Sequence, residues 1–218
     1  MREIKNKLAA LRNEYNGEFL DAKTVFPDPL KQFEKWMSEA LFKELPDPNA
    51  MILATASKNG QPSIRTVLLK DYGEKGFVFF TNYNSQKGKE IEENPKASVL
   101  FFWPKSMRQL KIEGVLEKVD PAESEEYFKT RPFGNQVAAW VSQQSSEIAG
   151  KDLLEEKYKA LEEKYKGKEI PYPEFWGGYR LIPKAYEFWQ GQANRLHDRI
   201  RYDLECEECK WKIKRLAP

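Results

Sequence analysis

The chain has 218 residues, 40% of them hydrophobic and 13% aromatic; so many aromatics exclude a disordered chain, and the length allows one large domain or two small ones around a sizeable core. Lys and Arg total 36 against 34 Asp and Glu, a formal net charge of +2, which is too balanced for a dedicated nucleic-acid binder. Two cysteines make no disulfide framework, no stretch approaches the ~18 apolar residues of a membrane span, and the opening MREIKNKLAALRNEY has no apolar signal core, so a reducing, cytoplasmic setting is expected.

In chain order, Ile4, Leu8, Leu11 and Tyr15 recur at helical spacing and predict a short amphipathic helix with a thin apolar stripe. Residues 16–27 read as a loop. Asp28 followed by Pro29 reads as a helix start, because Asp caps free amides and Pro tolerates the first helical position. Leu30, Phe33, Trp36, Met37, Ala40 and Leu41 then predict one buried face.

The middle is β-rich. Met51–Ala56, Ser63–Lys70, Phe77–Thr81, Ala97–Trp103 and Gln109–Val119 are short runs rich in Val, Ile, Leu, Phe and Thr, separated by turn signals. One helix, Ser85–Glu93, interrupts them. Closely spaced strands of this kind predict an antiparallel barrel or sandwich. Pro121–Thr130 and Lys151–Lys166 read as helices, the second laced with i,i+4 charge pairs. Gly178–Ile182, Tyr186–Gln190, Arg195–Tyr202 and Lys210–Arg215 return to strands. Strands at both ends must pair across the helices, which predicts a single domain over 1–218, mainly β with flanking helices (α+β).

Four places invite an anion. In an extended Arg195-Leu196-His197-Asp198-Arg199, alternate residues share a face, so Arg195, His197 and Arg199 point one way. Asn84 or Ser85 caps the helix whose opening carries Lys87 and Lys89; lysines at that positive end make sense exposed, or beside a phosphate. Tyr127 and Arg131 stand i,i+4 and can grip phosphate together. Arg65 and Lys70 bracket one strand with opposite parity, so they serve different anions unless a bulge intervenes. Taken alone, Arg195–Arg199 reads equally as a solvated face, while a solvated lysine pair at Lys87 and Lys89 and a surface stacking pair at Tyr127 and Arg131 are the favoured readings. Cys206-Glu207-Glu208-Cys209 has zinc-like spacing, but with one His in the chain a four-ligand site is improbable and an exposed hairpin turn is favoured. No nucleotide fingerprint or nucleophile elbow is present. Together these features fit a phosphorylated ring cofactor and a phosphorylated substrate, without naming either.

Glu187-Phe188-Trp189-Gln190 followed by Arg195-Leu196-His197-Asp198-Arg199 closely resembles the signature of the pyridoxamine (pyridoxine) 5′-phosphate oxidase family. The resemblance includes Arg65–Lys70 (RTVLLK), Phe80–Lys87 (FTNYNSQK), Arg108-Gln109, Tyr127–Pro132 (YFKTRP), Gln143–Ser146 (QQSS), Phe175–Gly178 (FWGG) and the ending Trp211–Pro218, so it covers nearly the whole chain. It implies an FMN-binding split barrel of antiparallel Greek-key type, working as a homodimer with its flavin sites at the subunit interface. It implies oxidation of pyridoxamine or pyridoxine 5′-phosphate to pyridoxal 5′-phosphate, with oxygen as acceptor, hydrogen peroxide as product and ammonia from the amine.

The resemblance assigns FMN to Arg65, Thr66, Val67, Leu68, Leu69, Lys70, Phe80, Thr81, Gln86, Lys87, Gln109, Gln144, Ser145, Trp189 and Arg199, with Arg65 and Lys87 on its phosphate. Substrate falls to Arg12, Tyr15, Lys70, Tyr127, Arg131, Asn135, Arg195, Leu196 and His197. Of these, Lys70, Tyr127 and Arg131 clamp the phosphate, while Arg195 and His197 cover the ring and are the catalytic candidates. Residues 1–27, with Arg12 and Tyr15, become a lid. Two positions depart from the family. Gln86 stands where Arg is usual, which implies FMN binding weaker by about 1–3 kcal/mol unless another cation compensates; an FMN affinity unchanged in Gln86→Arg contradicts that. Asn135 stands where Ser is usual and can still donate to phosphate. The competing readings are another split-barrel flavoprotein such as a flavin reductase, a non-catalytic protein that stores FMN or pyridoxal phosphate, and, more distantly, a nucleic-acid module.

Overall fold

A computed structural model describes residues 2–12, 14–205 and 210–218. Its helices are α1 (Arg2–Ala10), α2 (Pro29–Phe42), α3 (Gln86–Glu93), α4 (Pro121–Thr130), α5 (Phe133–Val141) and α6 (Lys151–Tyr165). Its strands are β1 (Ala50–Ala56), β2 (Pro62–Leu68), β3 (Asp71–Gly73), β4 (Gly76–Asn82), β5 (Lys96–Trp103), β6 (Arg108–Lys118), β7 (Trp176–Gln190), β8 (Asp198–Glu205) and β9 (Lys210–Arg215). The backbone gathers into two compact units. One holds Met1–Pro48, Phe101–Lys111 and Ala185–Pro218; the other holds Asn49–Leu100 and Ile112–Lys184.

In the second unit the strands follow the order β2-β1-β5-β6-β7-β4-β3. The hairpin β1/β2 is antiparallel with Leu53 opposite Arg65 and Thr55 opposite Ser63. β1 shows clean alternation, with Met51, Leu53 and Thr55 buried, as a strand with one covered face must. β4 (GFVFFTN) is buried on nearly every residue and pairs antiparallel with β7. Its turn from β3 depends on Gly76 at φ +126, where a side chain would also strike the Leu181 carbonyl oxygen at 2.1 Å. Phe128 of α4, Val137 and Val141 of α5, Ile170 of the loop after α6 and Trp176 at the start of β7 form a buried cluster of their own. Ser85 caps α3, its Oγ accepting from the Gly88 N–H at 3.3 Å. A Cβ on Gly88 would lie 1.9 Å from the Tyr83 carbonyl oxygen, so glycine is what lets the opening turn of α3 press onto that loop and deliver Lys87 inward.

In the first unit, α2 starts at the expected Asp28 cap, whose side chain accepts from the Leu30 N–H at 2.8 Å. Phe33, Trp36, Met37 and Ala40 are buried, and Trp36 meets Phe188 edge-on at 5.1 Å. Arg108 crosses the Trp36 ring at 4.7 Å and is tied to Glu18, Glu39 and Gln190. The end of β7, β8 and β9 form an antiparallel ribbon.

Several expectations are corrected. α1 ends at Ala10 and buries none of its residues, so Leu11 and Tyr15 lie beyond it; a short helix with nothing to pack against has little to extend it. Leu41 is 59% exposed, because it stands about 100° around the helix from buried Ala40, and Gln32 is buried instead, its Oε1 accepting from the Phe26 N–H. The run expected to be strand through Lys70 stops at Leu68. The two strands expected on either side of Pro183 are one strand, β7. α5 and the three-residue β3 have no counterpart among the elements expected from the sequence. Cys206 and Cys209 lie outside the described residues. Among the described residues no helix is long and apolar enough to cross a membrane.

Candidate functional site

The second unit contains a cavity of about 780 Å³, within the usual range of small-molecule sites. Strand β2 supplies Arg65, Thr66, Val67 and Leu68, the turn after it Lys70, and β4 supplies Phe80 and Thr81. Helices and loops close it with Lys87, Tyr127, Arg131, Asn135, Gln144 and Trp176. Thus most of the candidates expected in this half of the chain line one space. Leu69 does not: it is buried in the core. Gln86 and Ser145 do not either; they line a neighbouring cavity of about 650 Å³.

Two cations dominate one wall. Arg65 donates through Nη1 to Thr55 Oγ1 and through Nη2 to Ser63 Oγ at 2.5 Å, and pairs with Glu90 at 2.9 Å. Glu90 accepts besides from Thr55, Ser63 and Gln86. Burial pushes its carboxyl up, but the hydrogen bonds from Ser63, Thr55, Gln86 and Arg65 outweigh that and hold it at about 2. Lys87 is 8% exposed, contrary to a solvated lysine. Its Nζ donates to Gln144 Oε1 at 2.8 Å, Thr81 Oγ1 at 3.2 Å and Ser85 Oγ at 3.4 Å. Burial first, then the neighbouring Arg65, push the ammonium down to about 8, against the pull of Glu90.

Another part of the lining is aromatic. Tyr127 stacks on Phe80 at 3.9 Å and Phe80 on Trp176 at 5.3 Å, the planes within 14° and 11°. Arg131 is the residue that ends α4; an extended backbone before Pro132 turns it out of the helix. Its guanidinium lies 4.5 Å over the Trp176 ring. Arg131 Nη1 is buried and has no hydrogen-bond partner among the described residues, and burial lowers its pKa. Lys70 is exposed at the cavity edge, its backbone N–H bonded to the Val78 carbonyl.

The remaining candidates belong to the first unit. Tyr15 meets the rings of Trp189 and His197 edge-on at 5.8 and 5.6 Å, and Trp189 lies 4.6 Å from His197. His197 Nδ1 accepts from the Gln192 N–H at 3.1 Å, which leaves Nε2 to carry the proton of the neutral ring. The expected strand over Arg195–His197 is not formed. Arg195 ends a 3-10 turn with φ +62, Asn194 precedes it at φ +55, and β8 begins only at Asp198. The alternating face of Arg195, His197 and Arg199 therefore does not exist as such, and two left-handed residues in a row mark local strain. Leu196 is 68% exposed, and Arg12 is exposed. Gln109 is half-buried on β6. Arg199 is engaged: Nε and Nη2 donate to Glu187 at 2.8 and 2.6 Å, and Nη1 to the Ala217 carbonyl.

Sequence reasoning missed Glu90, Thr55, Ser63 and Trp176. The first has one faint signal, its i,i+4 spacing from Gln86; the hydroxyls depend on hairpin register, and Trp176 on a contact remote in sequence.

A family model described as pyridoxamine 5′-phosphate oxidase matches residues 37–165, and one described as the pyridoxine 5′-phosphate oxidase C-terminal dimerisation region matches residues 176–218. A pyridoxine/pyridoxamine 5′-phosphate oxidase of Crocosphaera subtropica is 55% identical over 212 residues, covering 97% of this chain and 99% of that protein. The protein of the same name from Rippkaea orientalis is 53% identical over 211 residues, covering 97% and 99%. Among solved structures, PhzG from Burkholderia lata, crystallised with tetrahydrophenazine-1-carboxylic acid, superposes with a TM-score of 0.88 at 28% identity, over 94% of this chain and 100% of that one. A pyridoxamine 5′-phosphate oxidase-related, FMN binding protein from Nostoc punctiforme gives 0.67 at 17%, over 85% and 97%, and speaks for the fold alone. The fold is thus the antiparallel split barrel that the sequence implies.

Proposed function

The chain belongs to the pyridoxamine 5′-phosphate oxidase family, and from that membership we propose that it oxidises pyridoxamine or pyridoxine 5′-phosphate to pyridoxal 5′-phosphate, with FMN as cofactor and oxygen as acceptor, yielding hydrogen peroxide and, from the amine after hydrolysis by water, ammonia. The observation that carries the reading is the buried Arg131 Nη1, without a hydrogen-bond partner among the described residues, in the lining of a cavity that also presents Arg65, Lys70 and Lys87. A buried donor without a partner costs about 1–3 kcal/mol, a cost that a bound phosphate oxygen removes. The donor set fits a phosphorylated flavin together with a phosphorylated substrate: four cationic side chains, a tyrosine hydroxyl and flat aromatic walls.

In this reading Arg65 and Lys87 hold the flavin phosphate, and Lys70, Tyr127, Arg131 and Asn135 hold the substrate phosphate. The Tyr127–Phe80–Trp176 stack keeps the phenol and the Arg131 fork in register. Gln144, accepting from Lys87, turns the ammonium toward the wall it shares with Thr81. Gln86 and Ser145 are proposed flavin contacts on the family pattern, as are Gln109, Trp189 and Arg199. FMN held by Arg65 and Lys87 would supply two-electron redox chemistry at the carbon that bears the amine or alcohol. No strong base is required; holding the substrate in line supplies most of the effect. Arg195 orients the amine or alcohol, His197 holds the ring with its Nε2 proton as donor, and Arg12, Tyr15 and Leu196 complete the substrate contacts. Residues 1–27 form a lid segment whose Tyr15 closes on Trp189 and His197. The match to a dimerisation region supports a homodimer, and a cytoplasmic location is part of the proposal.

The test is aerobic turnover of purified protein with FMN and each substrate. Pyridoxal 5′-phosphate formed in step with oxygen consumed is the expected result. FMN binding without product from either substrate would replace this reading by another split-barrel flavoprotein.

A further inference from the structure

A buried carboxylate stands beside the cations of the candidate anion site, where repulsion of a phosphate is the naive expectation. Glu90, on α3, is 7% exposed. Its Oε2 accepts from Thr55 at 2.5 Å, Ser63 at 2.6 Å and Arg65 at 2.9 Å, and its Oε1 from Gln86 at 2.8 Å. Thr55 and Ser63 face each other across the β1/β2 hairpin, so their hydroxyls are set by backbone register. Among the described residues the guanidinium of Arg65 donates to Thr55, Ser63 and Glu90, while the residue lines the cavity. An arginine held in this way has given up its rotamer freedom before a ligand arrives, the condition under which a fixed cation binds an anion tightly.

We propose that Glu90 is the positioning residue of this site: with Thr55, Ser63 and Gln86 it fixes the Arg65 guanidinium at the cavity wall, and the cavity's preference for a phosphorylated flavin over an unphosphorylated one depends on it. The inference rests on the flavin reading above. It divides the labour between the two cations. Lys87 hydrogen-bonds three neutral oxygens and supplies net charge; Arg65, neutralised by Glu90, supplies direction. Gln86 acquires a reason as well. An amide at that position donates to Glu90 and adds no charge of its own.

The test compares dissociation constants of FMN and riboflavin, by flavin fluorescence quenching, for the wild type, Glu90→Ala and Glu90→Gln. The FMN-to-riboflavin preference is the informative quantity, because a merely structural role weakens both ligands alike. The wild type is expected to prefer FMN by on the order of a hundredfold. Glu90→Ala should cut that preference about tenfold with riboflavin binding unchanged, and Glu90→Gln, which keeps an accepting oxygen for Ser63, Thr55 and Arg65, should restore most of it. A preference in Glu90→Ala equal to the wild type's, or higher because a repelling charge has gone, overturns the proposal and leaves the flavin reading standing. A wild type indifferent to the phosphate overturns the flavin reading and this inference with it. Should Glu90→Ala not fold, Ser63→Ala carries the test: a loss of about threefold in preference is expected, and no loss overturns the proposal.

Discussion

Replacing Arg131 by methionine sets two effects against each other, and the structure says which should win. Arg131 Nη1 is buried and has no hydrogen-bond partner among the described residues, a burden of about 1–3 kcal/mol. Against it stands the stacking of the guanidinium on Trp176 at 4.5 Å, which contributes about 0.5–2 kcal/mol. Methionine keeps the length and apolar bulk of the side chain and removes the orphan donor. Unfolding of the ligand-free variant in urea should therefore show stability unchanged within about 1 kcal/mol, or raised. Function should move the other way. Losing one charge-assisted bond to phosphate costs about 1.5–3 kcal/mol, or about 10–150-fold in binding. KM for pyridoxine 5′-phosphate should rise by that factor, while turnover of pyridoxine, which has no phosphate, stays as slow as in the wild type. A variant that is clearly destabilised yet keeps its KM would show Arg131 to be a structural stacking residue and would refute the reasoning.

Other changes probe separate links. Lys87 sits at about 8 in the free protein because burial and Arg65 disfavour its charge; a bound phosphate restores the charge, so binding takes up a proton above pH 8. The FMN dissociation constant should then climb by up to about tenfold per pH unit above 8 and be flat below 7, and Lys87→Arg, charged throughout, should abolish the climb; a flat wild-type titration contradicts this. Arg195→Ala should lower kcat far more than it weakens FMN binding, and equal losses of both count against its assigned role. Gly88→Ala places a Cβ 1.9 Å from the Tyr83 carbonyl oxygen and should cost about 2 kcal/mol or more in a denaturant melt; a neutral result would mean that the start of α3 shifts freely.

How much of this was legible beforehand varies with the range of the interaction. The α2 start at Asp28-Pro29 and the α3 cap at Ser85 were readable because capping is a matter of two or three neighbouring residues. The strands were readable from apolar runs between turn signals. Where a contact from elsewhere decided the outcome, local pattern failed. Leu41 matches the stripe of α2 but stays exposed, and Pro183 looks like a strand break but sits inside β7. Arg195 fails differently: alternation predicts a face only where the backbone is extended, and the left-handed pair Asn194-Arg195 breaks the premise.

The site divides the same way. Residue types alone told that Arg65, Lys87, Tyr127 and Arg131 could hold phosphate, because the chemistry of a guanidinium, an ammonium and a phenol travels with the side chain. Their family order along the chain pointed to the flavin. Only the folded chain could decide that these four line one cavity, and that Gln86 and Ser145 open onto another. Only the fold, too, could turn Glu90 from a helix-surface acid into the partner of Arg65, since that pairing needs a helix, a hairpin and its register at once. Sequence carries the chemistry of each group; distance, burial and the partner each group finds are properties of three dimensions.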